Sequence, residues 1–283
     1  MPENNQARSI NDRLSNLAKK SGLGFEKVAM QFLLERLAVR LVANRELAKR
    51  LVFKGGYVGV RVYQSPRFTT DLDAVLRSGT LKKIESLVIA ASEADIGDGV
   101  WFKFQNSIDL ETQGEYGGIR YNFRAGIGDL LKDLKRARLI NFDIGVGDPI
   151  TPKEVATETP FLLGGGTLSW DVYPPETVVA EKLHTLLTRG AANSRARDVF
   201  DLNLLIPKCD SKVLSEALRA TFKHRGDALP KDITSELKKM DRTLMSRGWK
   251  SAVLGIVGPS SYDEAFDNFI SVISKLRSEG KGG

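Results

Sequence analysis

Cysteine and histidine are scarce in this sequence. Its 283 residues include one cysteine, Cys209, and two histidines, His184 and His224. A single cysteine cannot form an intramolecular disulfide, and these three side chains cannot supply a tetrahedral Cys/His zinc site. The composition is typical of a protein of a reducing compartment, and we expect a cytoplasmic location.

Long apolar runs are also missing. No stretch approaches the ~20 apolar residues that a membrane-spanning helix needs, and the polar N-terminal residues 1–20 lack the apolar core of a signal peptide. The glycine run Gly164 to Gly166 is not followed by Lys-Ser or Lys-Thr, so it is not a Walker A loop. We therefore expect no membrane segment and no P-loop nucleotide site.

The composition is otherwise that of a folded basic protein. Hydrophobic residues make up 42% and charged residues 27%, and the formal net charge is +7. The chain is long enough for one large or two modest domains with a substantial core. The positive charge is consistent with a polyanionic partner such as nucleic acid, although many basic enzymes act on small substrates.

The hydrophobic pattern predicts an α+β protein in which a region of strands with flanking helices precedes a C-terminal helical bundle. We place the boundary before Pro174-Pro175, which begins a helix, and predict domains at 1–172 and 173–283. We predict strands at 68–76, 100–110, 119–125 and 138–146, and a loop with a short strand within 151–169. The predicted helices are 9–20, 25–43, 81–95, 176–189, 194–205, 211–223, 233–247 and 262–278.

Asp71 and Asp73 stand out at the strand predicted for 68–76. Side chains two positions apart share one face of a strand, so both carboxylates point the same way. Two such charges repel unless a cation lies between them, and Mg²⁺ or Mn²⁺ prefers oxygen ligands. A solvated strand end explains most Asp-x-Asp pairs, but here Gly55-Gly56 upstream offers backbone that can approach a phosphate closely.

Five sequence blocks occur in an order that resembles a known family. They are KGG at 54–56, RFTTDLD at 67–73, NFDIGVGDPI at 141–150, ETVVAEKLHTLLTRG at 176–190 and RARDVFDL at 195–202. The run resembles the AbiEii/AbiGii-type nucleotidyltransferase toxins of type IV toxin–antitoxin systems, in the DNA polymerase β-like superfamily. The resemblance spans roughly residues 30 to 205 and implies a nucleotidyltransferase-type N-terminal mixed sheet with flanking helices. The superfamily often has Gly-Ser before its Asp-x-Asp, whereas this chain has Gly55-Gly56.

The resemblance implies a metal and nucleotide site in the first domain. Asp71 and Asp73 would be catalytic and would bind Mg²⁺ or Mn²⁺, and Asp143 on a neighbouring strand would be the third metal-binding carboxylate. Asp148 is the alternative candidate for this third carboxylate, although a turn-capping role suits Asp148 better. The residues implied to bind the nucleotide are Gly55, Gly56, Thr70 and Lys182.

The resemblance also implies that the helical domain contributes Lys182 and Asp198 to the catalytic cleft. The Lys182 ammonium suits a nucleotide phosphate, although a surface lysine on an amphipathic helix is the ordinary alternative. Asp198 would orient Lys182 or act as a base. We expect Asp201 to be structural, paired with Arg197 or capping a turn, and His184 to serve in packing.

The implied function is a toxin that moves a nucleoside monophosphate from an NTP to an RNA acceptor, above all the tRNA 3′ end, and so blocks translation. Arg189, Arg195, Arg197 and the basic residues of 238–250 are the predicted RNA contacts. The alternatives are AMP transfer to a protein hydroxyl, a nucleotide-binding regulator without turnover, and an antibiotic-modifying transferase. A toxin of this type also predicts a cognate antitoxin encoded nearby.

Overall fold

The computed structural model describes residues 5–110, 117–189, 196–254, 256 and 258–279, without the side chains of 189 and 276–279. The strands are β1 Leu51–Lys54, β2 Asp71–Leu76, β3 Val100–Asp109, β4 Gly118–Ile127, β5 Arg138–Val146, β6 Val155–Pro160 and β7 Thr167–Val172. The helices are α1 Asn5–Ser21, α2 Phe25–Ala43, α3 Arg45–Ala48, α4 Gly55–Arg61, α5 Leu81–Glu93, α6 Pro175–Arg189, α7 Ala196–Leu205, α8 Ser211–His224, α9 Ile233–Lys238, α10 Arg242–Met245, α11 Trp249–Ala252 and α12 Tyr262–Glu279. No helix within these ranges is long and apolar enough to cross a membrane.

The chain forms two compact units. The first comprises Met1–Val62, Phe68–Gly147 and Ala156–Val172, and it contains the sheet. The second comprises Tyr63–Arg67, Asp148–Val155 and Tyr173–Gly283. The second unit is therefore not a single C-terminal run, because it also includes two short segments that precede Tyr173 and interrupt the first unit.

The first unit is built on a seven-stranded mixed sheet in the order β3-β4-β5-β2-β1-β7-β6. Strand β2 pairs antiparallel with β1 and parallel with β5, while β3, β4 and β5 pair antiparallel in succession. The predicted α+β class with a mixed sheet is confirmed. Two carboxylate-bearing strands, β2 and β5, are neighbours near the middle of this sheet.

Alternation along the central strands separates a core face from a polar face. On β5, Ile140, Phe142 and Ile144 are fully buried. The intervening Asn141 and Asp143 are only partly buried and point to the opposite face. The buried face thereby fixes the register of the strand, because a slip by one residue would bury the carboxylate.

The predicted elements of the first unit agree with the structure, with two exceptions. Helix α2 and strand β5 have the predicted bounds, and a further helix, α4, begins at Gly55. Strand β2 begins only at Asp71, so the predicted residues 68–70 lie outside it. The segment 151–169 is more regular than expected: β6 and β7 form an edge hairpin, and Gly164 and Gly165 adopt positive φ in its turn.

The second unit is helical. Its core contains apolar residues from α6, α7, α8 and α12, among them Leu183, Leu202 and Phe266. The helix predicted at 233–247 is wrong as a continuous element, since the structure has α9 and α10 there. Asp241 is the N-cap of α10, and its side chain accepts a hydrogen bond from Leu244 N. This cap begins α10 and separates it from α9.

Candidate active site

Strands β2 and β5 bring three aspartates together. In their parallel register, Asp71 is opposite Asn141 and Asp73 is opposite Asp143. Because residues two apart share a face, these four polar side chains lie on the same side of two adjacent strands. The sheet thus collects carboxylates from two distant parts of the sequence.

Asp71 is oriented by neighbouring polar groups. Asn141 Nδ2 donates a hydrogen bond of 3.0 Å to Asp71 Oδ1, and the Thr70 hydroxyl donates a longer one of 3.4 Å to the same oxygen. The Asn141 amide oxygen is buried and has no hydrogen-bond partner among the described residues. Asn141 therefore acts on Asp71 as a donor that fixes the direction of its carboxylate. Thr70 itself is exposed at the start of β2.

The glycine pair packs directly against this region. Gly55 begins α4 with φ of +73°, and a Cβ placed there would lie 2.0 Å from Asp73 Oδ2. A Cβ at Gly56 would lie 2.8 Å from the Thr69 hydroxyl oxygen. Side chains at these positions would collide with the carboxylate and with the chain that leads into β2. Gly55 therefore lets the backbone pass close to Asp73, and Gly56 lets it pass close to Thr69.

Asp143 has a partner that the sequence analysis missed. Arg120 on β4 is opposite Asp143 and donates from Nε and Nη2 to the two carboxylate oxygens, each at 2.7 Å. The hydrogen bond to Asp143 raises the pKa of the Arg120 guanidinium, and the charges of Asp71 and Asp73 also raise it. In the sequence, the alternation of polar and apolar residues along Gly118–Ile127 indicates that Arg120 lies on the polar face of β4.

The carboxylates fit a magnesium-type ion held jointly by protein and nucleotide. No group of three or more His, Cys, Asp or Glu side chains among the described residues has the arrangement of a metal site. Mg²⁺ commonly takes only one or two protein carboxylates and completes its coordination with substrate phosphates and water. Asp71 and Asp73 supply such a pair on one face of β2.

In the second unit, Lys182 lies between two aspartates. Its Nζ is 2.8 Å from Asp198 Oδ1 and 2.9 Å from Asp201 Oδ2, and its side chain is 23% exposed. Burial alone would lower the pKa of Lys182, but the charges of Asp198 and Asp201 raise it, so the ammonium is fully charged at neutral pH. The predicted pairing of Asp201 with Arg197 is wrong. Its partners are Lys182 and Arg67, whose Nη1 is 2.6 Å from each Asp201 oxygen.

The remaining predicted polar residues of the second unit have structural partners. His184 is buried against Phe222, and its ring nitrogens are 2.8 Å from Asp227 Oδ2 and 3.1 Å from Arg225 Nη1. Asp148 accepts a hydrogen bond of 3.0 Å from Arg225 and forms an ion pair with it, a contact that its sequence position does not predict. This arrangement agrees with the packing role expected of His184.

The predicted RNA contacts are only partly within the described chain. Arg195 and the side chain of Arg189 lie outside it, while Arg197 is exposed on α7.

The predicted site residues divide between the units. Asp71, Asp73, Asp143, Gly55, Gly56 and Thr70 belong to the first unit, whereas Lys182 and Asp198 belong to the second.

Comparison with solved structures defines the class of the fold. A crystal structure of a proposed nucleotidyltransferase from H. pylori matches with a TM-score of 0.52 at 16% sequence identity, covering 91% of this chain and 97% of that one. The fold is therefore of the nucleotidyltransferase type. No curated protein matches this sequence.

A family model gives the more specific assignment. The model described as nucleotidyl transferase AbiEii toxin, type IV toxin–antitoxin system, matches residues 36–272. The match covers most of the chain and runs through both units. This protein belongs to the AbiEii family of nucleotidyltransferase toxins, which confirms the resemblance noted in its sequence and makes it an enzyme of the nucleotidyltransferase class.

Proposed function

We propose that this protein transfers a nucleoside monophosphate from an NTP to an RNA acceptor, with the tRNA 3′ end as the favoured acceptor, and thereby blocks translation. The observation that carries the proposal is the placement of Asp71 and Asp73 on one face of β2, beside Gly55 and next to Asp143 on β5. In the reaction, an acceptor hydroxyl oxygen bonds to the α-phosphorus, the bond to the β-phosphate breaks, the hydroxyl loses its proton and pyrophosphate leaves.

Asp71 and Asp73 hold the divalent cation in this proposal. Mg²⁺ or Mn²⁺ bound there would lower the pKa of the acceptor hydroxyl and offset negative charge on the triphosphate. Asn141 keeps the Asp71 carboxylate in one orientation through its hydrogen bond. The Gly55-Gly56 backbone and the Thr70 hydroxyl are the proposed nucleotide contacts beside these carboxylates.

Lys182 is the proposed phosphate-binding cation of the second unit. A fixed positive charge is worth most when it needs no reorganisation during the reaction. Asp198 and Asp201 hold the Lys182 ammonium by two charged contacts, and Arg67 in turn holds Asp201. We therefore assign Asp198 the task of positioning Lys182, rather than that of a base.

The choice of RNA as acceptor is supported by charge and by family. The net charge of +7 favours a polyanion over a neutral or cationic substrate.

The AbiEii family also implies a cognate antitoxin, which we propose is encoded beside this gene. Expression of the protein alone should then arrest growth, and the antitoxin should relieve the arrest.

The test is a label-transfer assay. Purified protein is incubated with each α-labelled NTP, Mg²⁺ or Mn²⁺, and total tRNA, together with the variants Asp73→Asn and Asp12→Asn. Asp12 lies on an exposed part of α1, so Asp12→Asn controls for the loss of a surface carboxylate. We expect label on tRNA with the wild type and Asp12→Asn, and a loss of at least about 10³-fold with Asp73→Asn.

Other results would redirect the assignment. Label on protein would replace RNA with a protein hydroxyl as acceptor and indicate AMP transfer. Growth arrest by Asp73→Asn equal to that by the wild type would contradict a toxic nucleotidyl transfer and favour a binding regulator.

A further inference from the structure

The pairing of β4 with β5 in the sheet places Arg120 beside Asp143. Arg120, Asp143 and Asp73 occupy one row across three adjacent strands, because Arg120 is opposite Asp143 and Asp143 is opposite Asp73. Neighbouring strands are about 4.8 Å apart, so the backbone alone places an arginine within side-chain reach of both carboxylates. Side-chain exposure is 29% for Arg120 and 17% for Asp143.

The geometry of the pair uses both oxygens of Asp143. The planar guanidinium binds the carboxylate through two parallel hydrogen bonds of 2.7 Å, which is the strongest arrangement available to these groups. A divalent ion on Asp143 would have to break this contact and would then lie beside a permanent positive charge. Arginine cannot lose its proton to relieve that repulsion.

The same geometry leaves the guanidinium with further donors. Arginine has five N–H groups, and two of them bind Asp143, so three take no part in that pairing. The charges of Asp71 and Asp73 also act on Arg120, which places it at the side of the proposed cation site. A group with this charge and shape suits a phosphate oxygen.

We propose that Asp143 is a positioning residue rather than a metal ligand, and that it holds Arg120 where the guanidinium binds a phosphate of the nucleotide. The cation is then held by Asp71 and Asp73 without Asp143, and Arg120 supplies positive charge on the β4 side of the site. The proposal rests on the proposed function and assigns new tasks within its site.

The test measures binding without turnover. Mn²⁺ affinity is measured by electron paramagnetic resonance for the wild type and for Asp73→Asn, Asp143→Asn and Arg120→Gln. We expect Asp73→Asn to weaken Mn²⁺ binding by at least about tenfold, because it removes a charged ligand. Asp143→Asn should change the affinity less than about threefold. A loss with Asp143→Asn as large as that with Asp73→Asn would overturn the proposal.

Nucleotide affinity provides the second readout. The dissociation constant of a non-hydrolysable NTP is measured for Asp143→Asn, Arg120→Gln and the double variant, with melting temperatures to verify folding. Loss of one charged hydrogen bond predicts about a tenfold weakening for each single variant. Since Asp143 acts through Arg120, the double variant should bind no more weakly than Arg120→Gln alone. Additive losses, or unchanged nucleotide binding by Arg120→Gln, would contradict this role.

The conservative variant Arg120→Lys covers the case in which Asp143→Asn fails to fold. It keeps the positive charge and loses the two-pronged contact, so nucleotide affinity should lie between those of the wild type and Arg120→Gln. Affinity equal to that of Arg120→Gln would contradict a phosphate-binding charge at this position. These measurements are independent of label transfer, so failure of the proposed transfer reaction would be seen separately.

Discussion

The absence of a side chain at Gly55 allows the backbone to pack against Asp73 in the first unit. Gly55 combines a positive φ of +73° with a Cβ position only 2.0 Å from Asp73 Oδ2. An L-residue is disfavoured in this backbone region even where space is available, and here the space is already filled by the carboxylate. Glycine is therefore required at position 55 for two separate physical reasons.

The variant Gly55→Ala tests this requirement. We expect it to displace the Asp73 carboxylate, to lower the free energy of unfolding by about 1–3 kcal/mol, and to reduce nucleotidyl transfer by at least about tenfold. Urea denaturation and the label-transfer assay measure the two effects. The control is Gly145→Ala, because a Cβ added at Gly145 would meet no atom within 4 Å. Equal losses for both variants would contradict a specific clash at Gly55.

At the scale of single residues, the sequence predicts which face of a strand a side chain lies on, but not which distant residue the side chain pairs with. The Asp-x-Asp spacing correctly predicts that Asp71 and Asp73 share a face, because strand alternation is local. Arg120 and Arg67 were missed because their partners, Asp143 and Asp201, lie 23 and 134 residues away along the chain. Periodicity indicates which way a side chain points, but the pairing of strands and helices decides what it meets.

At the scale of elements, a buried ion pair ties α2 to the start of β3. Arg40 on α2, whose side chain is fully buried, donates to both oxygens of Asp98, each at 2.8 Å. It also donates to the backbone oxygens of Ala94 and Val100. Arg36, one helical turn earlier, donates to the same carboxylate at 2.6 Å. Asp98 thus supplies a counter-charge to two buried arginines at once.

The variant Asp98→Asn should lower the free energy of unfolding by about 3 kcal/mol at pH 7, because it leaves buried positive charge uncompensated. The matched control is Glu46→Gln, which breaks the exposed Glu46–Arg50 pair and should cost less than about 1 kcal/mol. Urea denaturation of both variants and the wild type measures the difference. A loss for Asp98→Asn no larger than that for Glu46→Gln would contradict the role assigned to this pair.

The pH dependence of this effect follows from the pKa of Asp98. Burial alone would raise it, but Arg40 and Arg36 lower it below the ordinary value of 3.8. The stabilisation is therefore present above pH 3.8 and is lost as the pH falls through the lower pKa of the folded state. The stability gap between wild type and Asp98→Asn should be constant from pH 5 to 7 and should narrow below pH 3.8. A gap that widens in acid would contradict this sign.

Element prediction was best where the hydrophobic pattern is long and regular. Helix α2 and strand β5 were placed at their observed bounds for that reason. The hairpin β6–β7 was partly missed because Pro152, Pro160 and the glycines of its turn interrupt the pattern. Residues 233–247 keep a helical pattern of apolar residues, yet the Asp241 cap divides them, and capping is decided by local hydrogen bonds.

At the scale of the whole molecule, the family match extends beyond the sheet. It covers residues 36–272, which include most of the helical unit and the Lys182–Asp198–Asp201 cluster. Burial alone would raise the pKa of Asp201, but the charges of Lys182 and Arg67 lower it, so Asp201 is ionised at neutral pH. Charged clusters that are costly to bury concentrate at functional sites, which makes Lys182, Asp198 and Asp201 candidates for the role proposed above.

Net charge makes a prediction that separates an RNA acceptor from a protein acceptor. Each phosphate neutralised by Lys or Arg releases condensed counterions, so binding of RNA to a protein with a net charge of +7 should weaken steeply with salt. For about four phosphate contacts, the dissociation constant for tRNA should rise about 10²-fold between 50 and 200 mM salt. Fluorescence anisotropy with labelled tRNA and Asp73→Asn protein measures this without turnover.

The control for the salt series is the NTP analogue, measured with the same protein over the same range. A nucleotide has no condensed counterion atmosphere along a chain of phosphates, so its affinity should change much less than that of tRNA. If tRNA binding were no more salt-sensitive than nucleotide binding, the protein would not be contacting a phosphate backbone. The acceptor would then have to be sought among protein hydroxyls, where AMP transfer needs no polyanion and the excess of Lys and Arg would have another purpose.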